Sequence, residues 1–211
     1  MSEAPSTPIR ILVVDDHPLL REGMASVLAA QPDLQVVGEA ADGLQALQAY
    51  RTLRPDLVLL DLQLPGLGGV EVILALRKEF PQARIVVVTA SRGDVQAVRA
   101  LEAGASGYLL KSGLRRELVD TVRAVHQGRR QVQAEVAAGI AEHLLGDSLS
   151  AREIQVLQSV AAGNSNKAIA ALLSIAEETV KAHMKNILCK LGARDRTHAV
   201  AIAVKRGIIE L

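Results

Sequence analysis

Short apolar runs alternate with helical periodicity through the first 127 residues. Five runs read as strands: Ile11–Val14, Leu34–Val37, Leu57–Leu60, Ile85–Val88 and Tyr108–Leu110. They are apolar on both faces, the pattern of a parallel sheet covered on both sides. The spacing between them predicts helices over Pro18–Ala30, Gly43–Arg51, Val70–Phe80, Val95–Ala103 and Leu114–Gln127. Strands joined by helices through right-handed crossovers make a doubly wound, five-stranded α/β domain. From Gly128 to Asp147 the periodicity weakens, and this stretch reads as a linker, part helical.

Beyond it the texture is helical throughout. Ser150 and Glu153 form a capping box that starts a helix, with Ile154, Leu157, Val160 and Ala161 as its apolar stripe and Gly163 as its stop. Asn166–Leu173 is a short second helix. Glu177–Leu191 is a third, with Val180, Met184, Ile187, Leu188 and Leu191 along one face and Gly192 at its end. His198–Arg206 is a fourth. The chain shows no internal repeat and no low-complexity tract.

Composition narrows the class. The 211 residues suit one large domain or two modest ones, and 49% of them are hydrophobic, enough for a sizeable core. Only 1% are aromatic, so that core is built from Leu, Val, Ile and Ala. A net charge of +1 excludes a basic nucleic-acid binder overall, but the charge is unevenly placed. Residues 1–146 carry 15 Lys/Arg against 17 Asp/Glu, hence −2; residues 147–211 carry 9 against 6, hence +3. A lone cysteine, Cys189, allows no intrachain disulfide and fits a reducing compartment. The start, MSEAPSTPIR, lacks the basic-then-apolar order of a signal peptide, and the apolar runs are too short to span a bilayer. The chain therefore reads as a soluble cytoplasmic protein.

Candidate chemistry collects at the strand ends. All strands of a parallel sheet end on one edge, where ligands bind. The first strand ends in Asp15 and Asp16, the third in Asp61, the fourth in Thr89, and the fifth runs into Lys111. Any one of these alone is an ordinary turn, cap or strand-end residue. Together they bring three carboxylates, a hydroxyl and an ammonium to one rim. Three crowded acids raise one another's pKa values or demand a cation, and a hard all-oxygen site suits Mg²⁺. A metal beside Asp61 implies an anionic reactant. Asp61 can attack a phosphoryl donor to form an acyl phosphate, with Lys111 and Thr89 contacting the phosphoryl oxygens.

The motifs "ILVVDDHPLLREGM", "PDLVLLDLQLPGLGGVEV", "IVVVTA" and "AGASGYLLK" resemble the receiver domain of bacterial two-component response regulators over about residues 9–127. The resemblance implies a flavodoxin-like fold with Asp61 as phosphoacceptor. It implies Mg²⁺ on Asp15, Asp16, Asp61 and the backbone carbonyl of Gln63. It makes Thr89 and Tyr108 a switch pair and Lys111 the phosphate-contacting lysine. Gln63 stands where an apolar residue is frequent, and Ser112 follows the lysine where many receivers have Pro, so the peptide there is expected trans.

On the third helix of the tail, the face opposite the apolar stripe centres on Ala182, with Lys181 and Lys185 on one side and His183, Asn186 and Lys190 towards the other. A small centre with cationic edges suits approach to a DNA groove, although most basic helix faces are merely solvated. "LSAREIQVL…AAGNSNKAIAALLSIAEETVKAHMKNILCKLGARDRTHAV" resembles the LuxR-type helix-turn-helix of the NarL/FixJ response regulators, over about 148–208. By that resemblance Asn166–Leu173 is the scaffold helix and Glu178–Leu191 the recognition helix in the major groove of double-stranded DNA. Lys181, Ala182 and Lys185 match its base-facing positions, and Thr179, His183, Asn186 and Lys190 lie beside them. The fourth helix matches a dimer-forming element. Ala176 replaces a frequent Ser in the turn, removing a side-chain cap worth about 1 kcal/mol; Ser174 and Glu177 are the candidates to compensate.

The two resemblances together imply a receiver at 9–127, a linker at 128–147 and a DNA-binding domain at 148–211. A sensor histidine kinase would be the phosphodonor and a homodimer the DNA-bound form, with RNA polymerase a further partner. The chain would not be an enzyme beyond slow self-dephosphorylation. Two other readings fit less well. A Mg²⁺-dependent phosphohydrolase often carries a second acid two residues after its nucleophile, where this chain has Gln63. A dinucleotide site needs G-x-G-x-x-G spacing, which "GLGG" lacks.

Overall fold

The structure, a computed structural model, describes residues 7–90, 94–145 and 149–209. Its backbone gathers into two compact units, one built mainly from residues up to Ala134 and one mainly from residues 135–209.

The first unit is a parallel sheet between helices. Its strands are β1 (Ile9–Val14), β2 (Leu34–Ala40), β3 (Leu57–Leu60), β4 (Ile85–Thr89), β5 (Gly107–Leu110) and β6 (Gln131–Val132). Their order across the sheet is β2-β1-β3-β4-β5-β6, every pair parallel. The intervening helices are α1 (Pro18–Ala29), α2 (Gly43–Leu53), α3 (Gly69–Glu79), α4 (Asp94–Glu102) and α5 (Leu114–His126). Every residue of β3, β4 and β5 is buried, which is why these strands read as unbroken apolar runs. Ile11, Val13, Leu57, Leu59, Val86, Val88 and Leu109 pack with Met24, Leu28, Leu118 and Val122 in one core, so α1 and α5 share a face of the sheet.

The sheet has six strands, not the five the apolar pattern predicts. β6 lies inside the stretch expected as linker and is two residues long, half-exposed, with no apolar run to betray it. It pairs with β5 through Gly107↔Gln131 and Tyr108↔Val132. Just past it, the Leu110 N–H donates to Oε1 of Gln133 at 2.8 Å, extending the junction to the end of β5. The rest of that stretch, as far as it is described, holds a helix, α6 (Ala134–Leu145).

The second unit continues with α7 (Ala151–Ala161), α8 (Asn166–Leu173), α9 (Glu177–Leu191) and α10 (Arg196–Lys205). Val156, Leu157, Val160, Ile169, Val180, Met184, Ile187, Ala199 and Ala203 form its core. The capping box is in place: the Glu153 N–H donates to Oγ of Ser150, and the Ser150 N–H donates to Oε2 of Glu153 at 2.7 Å. At α9 no side chain caps the start. Ala176 is the N-cap, and Ser174 is occupied as the left-handed C-cap of α8 with φ 53°. Glu177 and Glu178 in the first turn supply the compensating charge toward the helix dipole.

Candidate functional site

The strand order reverses between β1 and β3, and loops from those two strands diverge to opposite faces of the sheet. The crevice so formed receives the residues that end them. The Asp61 N–H donates to the carbonyl of Val14 at 2.9 Å and the Asp15 N–H to that of Ala40 at 3.2 Å, so both acids continue the ladder before their side chains turn into the crevice. Asp15 and Asp61 are buried, while Asp16 is 36% exposed in its side chain and opens to solvent.

Lys111 enters from the other direction, on the short 3-10 turn (Lys111–Gly113) that joins β5 to α5. Its Nζ donates to Oδ2 of Asp61 at 2.6 Å and lies 2.8 Å from Oδ2 of Asp15. The second approach is an ion pair without hydrogen-bond geometry, which leaves Oδ2 of Asp15 a buried acceptor with no donor. The other oxygens are partly satisfied. Oδ1 of Asp15 accepts the His17 N–H at 2.8 Å, and Oδ1 of Asp61 accepts the Gln63 N–H at 3.2 Å. Burial pushes the Asp61 carboxyl upward, and its contacts with Lys111 and the Gln63 N–H offset this only in part. For Lys111 burial pulls the ammonium down, but the paired carboxylates outweigh it and the net shift is upward.

One ammonium among three carboxylates leaves the nest short of positive charge. Asp15, Asp16, His17 and Asp61 each place one ligand atom within 4.8 Å of the others. The aspartate oxygens, with an orphaned buried acceptor among them, fit a small hard cation such as Mg²⁺.

Thr89 and Tyr108 flank the nest from β4 and β5. The register pairs Val87 with Tyr108 and Thr89 with Leu110, so Thr89 and Tyr108 point to one face of the sheet. Both are buried, and burial, reinforced by the nearby Asp61 carboxylate, pushes the Tyr108 hydroxyl far up. Behind Asp61, Gly69 starts α3 and its N–H donates to the Leu62 carbonyl at 3.0 Å. A Cβ at Gly69 would strike the Asp61 carbonyl oxygen and lie 2.6 Å from Cα of Leu62. The second glycine of "LGG" is thus required for close packing under the acid.

His17 joins the nest without having been singled out in the sequence. Its Nδ1 lies 2.6 Å from Oδ1 of Asp16, and its position directly after the "DD" pair was the available signal. Gln133, which holds the strand that leads into Lys111, lies in a segment with no apolar pattern and gave none.

In the helical unit, α9 buries Val180, Met184 and Ile187 and exposes Thr179, Lys181, Ala182, Lys185 and Asn186, with His183 half-exposed. Lys181 pairs with Glu178 one turn earlier at 2.7 Å. Lys190 is placed differently. Its Nζ donates to the buried Oε2 of Glu153 at 2.8 Å, tying α9 to the capping box of α7.

Two family comparisons cover most of the chain. The response regulator receiver domain matches residues 11–123, and the luxR family of bacterial regulatory proteins matches residues 147–203. The transcriptional regulatory protein YhcZ of Bacillus subtilis (strain 168) is 40% identical over 206 residues, 93% of this chain and 96% of that protein. The response regulator protein VraR of Staphylococcus aureus (strain Mu3 / ATCC 700698) is 37% identical over 207 residues, 96% of this chain and 99% of that one. Among solved structures, the response regulator ChrA of a heme-sensing two-component system is 38% identical with a TM-score of 0.58, covering 96% of this chain and 99% of that one. RcsB of Salmonella enterica serovar Typhimurium, 24% identical with a TM-score of 0.76 over 94% of this chain and 99% of its own, shares the fold. The chain belongs to the DNA-binding response regulators of two-component systems, in which a receiver domain is joined to a LuxR-type helix-turn-helix domain.

Proposed function

We propose that Asp61 is the phosphoacceptor and that its phosphorylation by a sensor histidine kinase controls DNA binding by the helical unit. The observation that carries this reading is the placement of Lys111 Nζ 2.6 Å from Asp61 and 2.8 Å from Asp15, which joins residues from β1, β3 and β5 in one charged nest. Asp15, Asp16, Asp61 and the carbonyl of Gln63 would hold Mg²⁺. When bound, the ion would neutralise phosphoryl oxygens that three carboxylates otherwise repel.

A carboxylate oxygen of Asp61 attacks the phosphorus. The new O–P bond forms as the P–N bond to the donor imidazole breaks and the histidine leaves with the electron pair. Lys111 then exchanges its contact with the free carboxylate for one with a phosphoryl oxygen, and Thr89 donates its hydroxyl to another. That movement draws on the Thr89 face of the sheet, which Tyr108 shares, and so alters the packing around β4 and β5. Reversal by water is slow self-dephosphorylation; the chain acts on no diffusing substrate.

In the helical unit, α8 is the scaffold helix and α9 the recognition helix. Ala182 faces the bases between Lys181 and Lys185, with Thr179, His183 and Asn186 beside them. Lys190 acts from the side, as the strut to Glu153. Paired half-sites and α10 make the DNA-bound form a homodimer, and RNA polymerase is its further partner at a promoter. With β6 in its sheet the receiver runs from residue 9 past 127 to Ala134, the DNA-binding domain occupies 148–211, and the protein works in the cytoplasm.

The test is a DNA-binding isotherm, on sites selected from random sequence, with and without acetyl phosphate and Mg²⁺. Wild type is expected to bind more tightly with the phosphodonor, and Asp61→Asn to show no response. An equal response in Asp61→Asn rejects the assignment.

A further inference from the structure

The opposite edge of the receiver sheet holds a second concentration of charge. A cavity of about 220 Å³ opens where β4, β5 and β6 begin, at the far end of the strands from Asp61. Arg77, Arg84, Arg129 and Arg130 line it, together with Ser106 and Gln82, and no acidic residue does. Among the described residues none of the four guanidiniums makes a salt bridge, although Arg51, Arg123 and Lys190 elsewhere each have a carboxylate.

The backbone brings the segments that carry these side chains together, with Arg129 and Arg130 themselves exposed. Arg84 directly precedes β4, Ser106 directly precedes β5 and Arg130 directly precedes β6, so adjacent strands deliver them side by side. The Ser106 N–H donates to the Ile85 carbonyl at 2.8 Å, and its own carbonyl accepts the Gln131 N–H at 3.2 Å. Gly128, at φ 82°, turns the chain out of α5, and the Arg129 N–H closes the turn on the Ala124 carbonyl at 3.0 Å. Arg77 donates through Nη1 to the Ala83 carbonyl at 3.2 Å. Its side chain runs against Gly104, where a Cβ would come within 2.8 Å of Nε.

Helix C-termini attract cations, and Arg77 in the last turn of α3 answers that need. Arg129 and Arg130 follow the C-terminus of α5 and serve it in the same way, whereas Arg84, directly before β4, answers to no helix end. Arg129 also donates through Nη2 to Oε1 of Gln127 at 2.7 Å, but none of the four guanidiniums has a carboxylate partner among the described residues, so together they create a positive potential around one concavity and keep further donors for phosphate oxygens.

We propose that this cavity binds a diphosphate group, supplied either as free pyrophosphate or as the tail of a nucleoside diphosphate. The charge fits: pyrophosphate carries about three negative charges near neutrality and spreads them over two phosphoryl groups, whereas one orthophosphate would leave most of the donors unused. The volume fits as well, being smaller than the roughly 300 Å³ at which whole drug-sized ligands are enclosed. A nucleoside would therefore project into solvent. This site is independent of the reading of Asp61.

The test is calorimetric titration of the full chain at constant ionic strength with EDTA present, using inorganic pyrophosphate, ADP, AMP and orthophosphate. Pyrophosphate and ADP are expected to saturate at one equivalent, at least tenfold more tightly than AMP or orthophosphate. Equal affinity for the first two identifies the diphosphate alone as the determinant; tighter binding of ADP adds a contact to its nucleoside. Arg84→Gln with Arg130→Gln is expected to weaken binding at least tenfold with circular dichroism and Tm in the absence of ligand unchanged. Lys181→Gln with Lys185→Gln is expected to leave it intact. The proposal is overturned by non-saturable binding, by orthophosphate binding as well as pyrophosphate, or by affinity lost with the α9 lysines instead of the arginines. If Arg84→Gln with Arg130→Gln unfolds, Arg129→Gln alone supplies the reading, with a threefold or greater loss expected and no loss overturning the site.

Discussion

The Lys111 ammonium and the Asp61 carboxylate, 50 positions apart in the chain, meet at 2.6 Å inside the receiver crevice. The same ammonium is 2.8 Å from Asp15, so one cation serves two buried acids. Removing it leaves both uncompensated in a site where desolvation is expensive. Lys111→Met is therefore expected to destabilise the metal-free receiver by about 3–5 kcal/mol. Urea denaturation checks this, and Mg²⁺ is expected to recover part of the loss by restoring positive charge. A variant as stable as wild type without metal would show that the pair carries no such load.

The backing of Asp61 gives a second expectation. Gly69→Ala places a methyl against the Asp61 carbonyl and Cα of Leu62, both backbone atoms that cannot rotate away. The loop must shift, at a cost of about 1–3 kcal/mol, and Asp61 shifts with it. Labelling by acetyl phosphate is expected to slow markedly while circular dichroism stays native. Labelling at the wild-type rate would mean that the loop accommodates the methyl freely.

In the helical unit, the Glu153 carboxyl loses hydration by burial, but its bonds with Lys190 and the Ser150 backbone and hydroxyl prevail and hold its pKa below the usual range. A depressed carboxylate stabilises the fold fully above its unfolded pKa and loses that contribution as pH falls through its folded pKa. Urea midpoints for wild type are thus expected to drop between about pH 5 and pH 3. Glu153→Gln is expected to cost about 1–2 kcal/mol at neutral pH and to flatten that acid limb. An unchanged limb in the variant would place the titration elsewhere.

The α9 lysines separate by role. Lys185 is exposed on the face opposite the core, whereas Lys190 is bound to Glu153. Lys185→Ala is expected to lower DNA affinity and reduce the slope of log affinity against log salt by about one. Lys190→Ala is expected to lower the Tm of the helical unit and leave the salt slope nearly unchanged. Fluorescence anisotropy over a salt series distinguishes them, and identical slopes for both variants would erase the distinction.

How much of this could be read in the chain depended on whether local pattern carried it. β3, β4 and β5 are buried on both faces and so announced themselves as apolar runs. The convergence of Asp15, Asp16, Asp61, Thr89 and Lys111 followed from topology, because parallel strands end on one edge. β6 did not show, since a two-residue, half-exposed strand is defined by its partner and not by its own composition. The pairing of Lys190 with Glu153 was equally hidden. Helical periodicity assigned Lys190 to the margin of the polar face, and only the packing of α9 on α7 turns it toward the capping box. The need for glycine at position 69 likewise comes from a loop folding back on Asp61, not from the glycine's own backbone angles.

We propose above all that Asp61 accepts a phosphoryl group in a nest completed by a divalent cation. Intact-mass spectrometry after incubation with acetyl phosphate, followed by peptide mapping, tests it most directly. One added phosphoryl group is expected, located on Asp61, formed with Mg²⁺ and absent in EDTA or in Asp61→Asn. A label of equal extent in Asp61→Asn, or one mapped to any other residue of the wild-type chain, would contradict it.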